Sequence, residues 1–329
     1  MTSVTVRVPA KINLQLAVGP LGADGYHDLV TVFHAVSLFD EVTVTDAAAD
    51  SVTVTGEGAD QVPANEDNLA LRAVRELRDA IAERDDVLLE EPFGGGAEAD
   101  SGDISETDGV AVTISKRIPV AGGLAGGSAD AAAALVACNE LWRAGLSQQE
   151  LCEVAAAVGS DVAFAVLGGT AVGRGRGERL SPALVAPATY HWVLAFADGH
   201  LSTPAVYGTL DKLRANRSVG RPELSAELMS ALRAGDAERL GAVLSNDLQA
   251  PAVSMFPALR KTLSAGIEFG ALGGLVSGSG PTCFFLASSA DRASDIAVAL
   301  SAAGVCRAVA TAAGPVPGAS ILRGFAGRG

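Results

Sequence analysis

The chain has 329 residues, 49% of them hydrophobic, enough for two domains with sizeable cores. Its formal net charge is -14 and its pI is near 4.7, which argues against a nucleic-acid backbone or an anionic membrane as the main partner. Any anionic ligand then has to be held by local charge.

The N-terminus, "MTSVTVRVPAKINLQL", alternates Val4, Val6 and Val8 with polar residues and reads as a strand, not as a signal peptide. Further strands are expected over 12–18, in "VTVFHAVSLFDEVTVTD" and in "SVTVTGEG". The spacing of Leu69, Ala73, Val74, Leu77 and Ile81 predicts a helix over 68–83. The stretch 91–109 is acidic, glycine-rich and poor in apolar residues, so it reads as a solvated insertion. "VAVTISKRIPV" is a strand that runs into "PVAGGLAGGSADAA", and a helix follows with Leu135, Cys138, Leu141 and Trp142 at helical spacing. "SQQE", 147–150, is a capping box for a further helix that Gly159 should end.

The pattern begins afresh near residue 186. A strand in "HWVLAFAD", a helix start at "TPAVYGTL", helices over 223–234 and 237–244, a hairpin in "LVSGSGPTCFFLAS", a helix in "ASDIAVALSAAG" and a strand in "CRAVATAAG" complete it. This order implies an α+β fold in two units, 1–186 and 187–329. Cys138, Cys152, Cys283 and Cys306 form no C-x-x-C pair, and His27, His34, His191 and His200 form no H-E-x-x-H pattern. Zinc is therefore not indicated, and the thiols are expected to be reduced, as in a cytoplasmic protein without a membrane span.

The glycine-rich stretch carries the chemistry. Gly122, Gly123, Gly126 and Gly127 precede a helix, and such a loop aims unpaired N–H groups and the positive end of a helix dipole at one point, where an anion can sit. Ser128 stands where a Walker A loop has its lysine, and Gly123-Leu124-Ala125-Gly126 breaks the G-x-G step of a dinucleotide fingerprint. The positive charge must come from elsewhere.

Three segments, "PAKINLQL" with "ADGYHDL", the glycine loop, and "VSGSGPTCFF", together resemble the GHMP kinases. "DGYH" close behind "AKINL" resembles in particular the branch of that family acting on cytidine diphosphate-linked methylerythritol. The resemblance covers nearly the whole chain. It implies a two-domain fold with the active site in the cleft between domains, and ATP-dependent, Mg²⁺-assisted phosphorylation of the C2 hydroxyl of that substrate. Lys11 and Asp161 would be the catalytic pair, with Asn13, Tyr26, His27, Thr203 and Tyr207 on the substrate and the two tyrosines as aromatic walls for the cytosine. ATP would meet Asn68 and Lys116 beside the adenine, then Pro119, Gly122, Gly123, Leu124, Gly126, Gly127 and Ser128 on the loop, with Gly278 and Gly280 letting the third motif come close. Ser128 would contact phosphate or the metal.

Each residue also has a plainer reading. Lys11 at a strand edge can snorkel, Asp161 can cap the short helix that follows, and the tyrosines can be core residues with a wet hydroxyl. Ala125 and Ala129 replace residues of the usual G-L-G-G-G-S-S loop, and alanine tolerates positive φ poorly, so the loop path or nucleotide affinity is expected to differ. A homoserine- or mevalonate-type kinase and a non-catalytic nucleotide-binding regulator stay open as alternatives; "DGYH" speaks against the first, and the presence of both Lys11 and Asp161 against the second.

Overall fold

The computed structural model describes residues 2–90, 109–215 and 217–322. The acidic stretch expected as an insertion lies outside the described residues except for Gly109.

The first half runs β1 (Ser3–Leu21), β2 (His27–Ala47), β3 (Ser51–Gly56), α1 (Leu69–Glu90), β4 (Gly109–Lys116), α2 (Gly126–Leu141), α3 (Gln148–Val158), α4 (Ser160–Leu167), β5 (Thr170–Gly175) and β6 (Arg179–Pro182). The two strands expected before residue 19 form one long β1, because shifts of register at Pro9/Ala10 and Asn13/Gln15 bend the strand without breaking its pairing with β2. The main path of the first sheet is β12 (Ser320–Ile321)-β1-β2-β4-β3, with β5 on β2, β6 on β5 and β8 (Ser245–Asn246) on β1. The alanine run of α2 has Ala131, Ala132, Ala133 and Ala134 fully buried, and their small side chains let the helix lie close against its neighbours. The predicted capping box is present: Ser147 Oγ accepts from Glu150 N while Glu150 Oε2 accepts from Ser147 N.

The second half runs β7 (Tyr190–Phe196), α5 (Thr203–Arg214), α6 (Ala226–Ala234), α7 (Ala237–Val243), β8 (Ser245–Asn246), α8 (Gln249–Met255), α9 (Ala258–Glu268), β9 (Gly273–Val276), β10 (Cys283–Ala287), α10 (Ala290–Ala302), β11 (Ala308–Gly314) and β12 (Ser320–Ile321). Its antiparallel sheet has the order β11-β7-β10-β9. The helix expected from residue 223 starts at Ala226, since Ser225 takes the N-cap position and accepts from Leu228 N. The helices α8 and α9 were not expected from the pattern.

The chain passes from the first sheet to the second between Pro182 and Tyr190, and then returns: β8 and β12 both pair with β1. One core cluster accordingly contains Val6, Ile12 and Leu135 from the first half and Trp192, Leu232 and Phe284 from the second. Among the described residues no helix is long and apolar enough to cross a membrane, and all four cysteines are free.

Candidate active site

The glycine loop is fastened from beneath. At the end of β4, Lys116 Nζ donates to Asp40 Oδ2 on β2 (2.6 Å) and to Asp130 Oδ2 on α2 (2.7 Å), and all three residues are buried. Asp40 Oδ1 also accepts the amides of Arg117 and Ile118, so the start of the loop is pinned to β2. Burial pulls the Lys116 ammonium down, but the two carboxylates outweigh it and hold the group above its ordinary value. Burial, opposed by Lys116 and reinforced by the charge of Asp40, pushes the Asp130 carboxyl up to about 8. The ammonium of Lys116, a residue expected beside the adenine, is engaged with two carboxylates below the loop. Asn68 is likewise occupied, accepting the Ala70 amide at the start of α1 and donating to the Pro63 carbonyl.

Above this base the loop faces a cavity of about 700 Å³. Gly122, Gly123, Gly126, Gly127 and Ser128 line it, whereas Leu124 is buried with its carbonyl bound to Lys11 N. Pro119 lines a separate cavity of about 480 Å³ on the other side of Gly122. Ala125 does adopt the left-handed conformation, with φ 59°, at the N-cap of α2. Its Cβ costs about 1 to 2 kcal/mol there. No side chain caps α2, so the first-turn amides of the helix stay available to a ligand.

Lys11 and Asn13 reach the cavity from the same face of β1. Lys11 Nζ donates to Asn13 Oδ1 (2.8 Å), and Asn13 Nδ2 donates to Thr31 Oγ1 (2.8 Å). The Lys11 ammonium lies 3.7 Å from Asp161 Oδ2, with side chains 9% and 34% exposed respectively. Lys11 is therefore buried beside a carboxylate and does not snorkel. Asp161 does not cap α4 either: Gly159 holds the N-cap position and Asp161 sits in the first turn, without a capping bond.

The third motif closes the same cavity. Gly278 lies so near Lys11 and Asn13 that a Cβ on it would stand 3.4 Å from Lys11 Nζ, and its φ of +55° also favours glycine. The hairpin is bound to the glycine loop through Ser277 Oγ to Gly123 O (2.9 Å) and Thr282 N to Gly122 O (3.2 Å). Thr203, at the start of α5, pairs with Ser279 Oγ at 2.8 Å.

The aromatic residues are arranged otherwise than as a tyrosine pair. Tyr207 lines the main cavity and stacks on His27, with ring centroids 5.3 Å apart and 24° between planes. Burial, and then the charge of Asp161, pushes the Tyr207 phenol up to about 12. His27 Nδ1 donates to Gly19 O (2.9 Å), leaving Nε2 3.3 Å from Asp211 Oδ1. Tyr26 is 55% exposed and lies under the guanidinium of Arg176, in an adjoining cavity of about 410 Å³.

Two residues of the site escaped the sequence reading. Arg176 lines the main cavity, and its only signal was the repeated glycine and arginine of "GRGRGERL". Asn246 donates from Nδ2 to both Val276 O and Gly278 O (2.8 Å each) and accepts the Leu248 amide, so it holds the third motif from behind. Nothing in "SNDLQ" announces that, since the partners lie 30 and 32 residues away.

Comparison with known proteins places the chain in a family. The models of the GHMP kinases N terminal domain and the GHMP kinases C terminal match residues 68–169 and 228–306. The chain is 52% identical to the 4-diphosphocytidyl-2-C-methyl-D-erythritol kinase of Mycolicibacterium smegmatis, over 97% of this chain and 92% of the relative. It is also 52% identical to the enzyme of that name from Thermobifida fusca, over 98% and 99%. A crystal structure of 4-(cytidine 5'-diphospho)-2C-methyl-D-erythritol kinase superposes with a TM-score of 0.70 at 31% identity, covering 94% of this chain and 98% of the other. The L. major mevalonate kinase shares the fold, with a TM-score of 0.71 at 17% identity over 97% of this chain and 98% of that one. The chain belongs to the GHMP kinases, in the branch of the 4-diphosphocytidyl-2-C-methyl-D-erythritol kinases.

Proposed function

We propose that this chain transfers the γ-phosphoryl group of ATP to the C2 hydroxyl of 4-diphosphocytidyl-2-C-methyl-D-erythritol, a step of isoprenoid precursor synthesis, in the cytoplasm. The observation that carries the reading is the meeting of Lys11 and Asp161, 3.7 Å apart, in a cavity walled by the glycine loop and the third motif. Identity of 52% to curated enzymes of that activity supports the choice of substrate.

In this reading Asp161 accepts the proton of the acceptor hydroxyl. Lys11 holds that oxygen in place and balances charge, and Asn13, fixed by Thr31, fixes Lys11 in turn. Because phosphoryl transfer passes through a loose transition state, placement and electrostatics contribute more than basicity. The loop amides and the α2 N-terminus hold the nucleotide phosphates. Ser128 and Asp161 offer oxygen donors to the cavity, a chemistry that suits Mg²⁺, which is commonly held by one or two carboxylates together with substrate phosphates. Mg²⁺ bound there would neutralise phosphate charge. His27 and Tyr207 face the cytidine, the ring of Tyr207 offering its π-face to the base.

The test is an ATP-consumption assay with the cytidyl substrate, homoserine and mevalonate in parallel. Turnover confined to the cytidyl substrate is expected. Equal or faster turnover of either alternative would overturn the reading.

A further inference from the structure

Among the described residues lining the main cavity, the basic side chains are Lys11 and Arg176. Lys11 is already committed to Asn13 and Asp161 at the reacting end. A diphosphate further along the main cavity therefore has Arg176 left to meet it, with Arg221 in the adjoining cavity of Tyr26, in a chain whose formal net charge is -14.

The position of Arg176 suits that task. It occupies the turn between β5 and β6, where a Cβ on Gly177 would be in ordinary contact with Ser160 Cβ at 3.5 Å, next to Asp161. The backbone there is fixed by Arg176 N donating to Glu178 Oε2 (2.6 Å) and by Gly177 N bonding Arg174 O (3.1 Å). Arg176 belongs to the linings of both the main cavity and the cavity of Tyr26 and His27, so the residue stands where the two join. Its guanidinium centre is 3.7 Å from the Tyr26 ring centroid, and Nη2 donates to Asp24 Oδ2 at 2.9 Å. Stacking on Tyr26 fixes the plane of the guanidinium. The contact to Asp24 is exposed, with side chains 53% and 57% accessible, and such a pair exchanges partners at little cost. A guanidinium so held offers a planar fork matched to phosphate oxygens.

We infer that Arg176 binds the diphosphate that joins the cytidine to the sugar alcohol, exchanging its contact with Asp24 for phosphate oxygens while it stays stacked on Tyr26. The inference rests on the cytidyl-substrate reading above. Arg176 then discriminates a cytidine diphosphate from a bare cytidine, and the recognition is assigned to the outer part of the cavity, away from the transferred phosphoryl group.

The experiment compares binding of cytidine and CDP, by calorimetry, to the wild-type protein and to the Arg176→Ala and Arg176→Gln variants. Wild type is expected to bind CDP more tightly than cytidine, with the difference shrinking as salt is raised. Both variants should lose about 10- to 150-fold in CDP affinity, the worth of hydrogen bonds to a charged group. Their cytidine affinity and their KM for ATP should stay unchanged. Parallel loss of cytidine and CDP affinity would mean that Arg176 only supports Tyr26, and unchanged CDP affinity would mean that it binds nothing; either result overturns the inference. A wild-type protein that binds CDP with no gain over cytidine also overturns it. Failure of the wild type to bind either compound would instead remove the cytidyl reading, and this inference with it.

Discussion

Lys11 Nζ and Asp161 Oδ2 lie 3.7 Å apart although they are 150 residues apart in sequence, and neither side chain serves the local structure around it. Asp161 leaves the cap of α4 to Gly159, and Lys11 bonds through Asn13 to a fixed threonine. A partly buried ion pair without a local structural duty points to chemistry. Asp161→Asn should lower kcat by about 10² or more, the order of a general-base contribution. The melting temperature should change little, because no capping bond is lost, the carboxylate is one-third exposed and the Lys11 ammonium keeps its bond to Asn13 Oδ1. Near-normal kcat in that variant would remove Asp161 from catalysis.

Substrate choice is expected to depend on Tyr207. Stacking of a base on an aromatic ring is worth about 1 to 3 kcal/mol, so Tyr207→Ala should raise the KM of the cytidyl substrate about 5- to 150-fold and leave that of ATP unchanged. Tyr207→Phe keeps the ring and should resemble wild type. Equal weakening of ATP and substrate, or a large drop in melting temperature, would make Tyr207 a packing residue.

The Asp40, Lys116 and Asp130 triad makes a prediction about stability. Lys116→Met leaves the Asp40 carboxylate and the Asp130 carboxyl buried without their cation, and breaking such a pair costs about 3 to 5 kcal/mol. Its denaturation midpoint should fall in proportion. A variant of normal stability with only a raised KM for ATP would instead support a direct contact of the ammonium with nucleotide.

The same triad has a signature in pH. Asp130 titrates near 8 in the fold, against about 3.9 in an unfolded chain. Between those values the folded state holds the additional proton, so this group makes stability fall as pH rises from about 4 to about 8. Asp130→Asn removes that contribution. Urea midpoints measured across the range should decline less steeply for the variant than for wild type, and identical slopes would contradict the assignment.

Asn246→Ala removes two donors from the carbonyls of Val276 and Gly278. An unsatisfied buried acceptor costs about 1 to 3 kcal/mol, enough for the third motif to drift from the Lys11 and Asp161 pair. Turnover should fall about tenfold or more, with a fall in melting temperature of several degrees. An unchanged kcat would show that the hairpin keeps its place without Asn246.

Much of the fold was legible because its signals are local. The period of Leu69, Ala73, Val74, Leu77 and Ile81 predicted α1, and the serine and glutamate three residues apart in "SQQE" predicted a cap that needs only its own turn. The glycine loop leading into a helix was legible for the same reason, as was the hairpin around Gly278 and Gly280. The helix α8 was missed because it has only seven residues and carries a proline, whereas α9 buries Leu259, Thr262, Ala265 and Gly266 on one face, so its spacing was a signal the reading passed over. The site divides along a similar line. Lys11, Asp161 and the loop glycines were nominated by motif, but the partners of each side chain were not. Lys116 became a buried strut because Asp40 and Asp130, 76 and 14 residues away, close on its ammonium when β2, β4 and α2 pack together. Tyr26 and Tyr207, matched by motif as two walls of one slot, are paired instead with Arg176 and His27. Residue types and local spacing set the helices, turns and candidate chemistry by themselves. Which charge meets which carboxylate was decided only when strands distant in sequence came into register, since the energy of such a contact depends on a distance and a burial that local sequence does not contain.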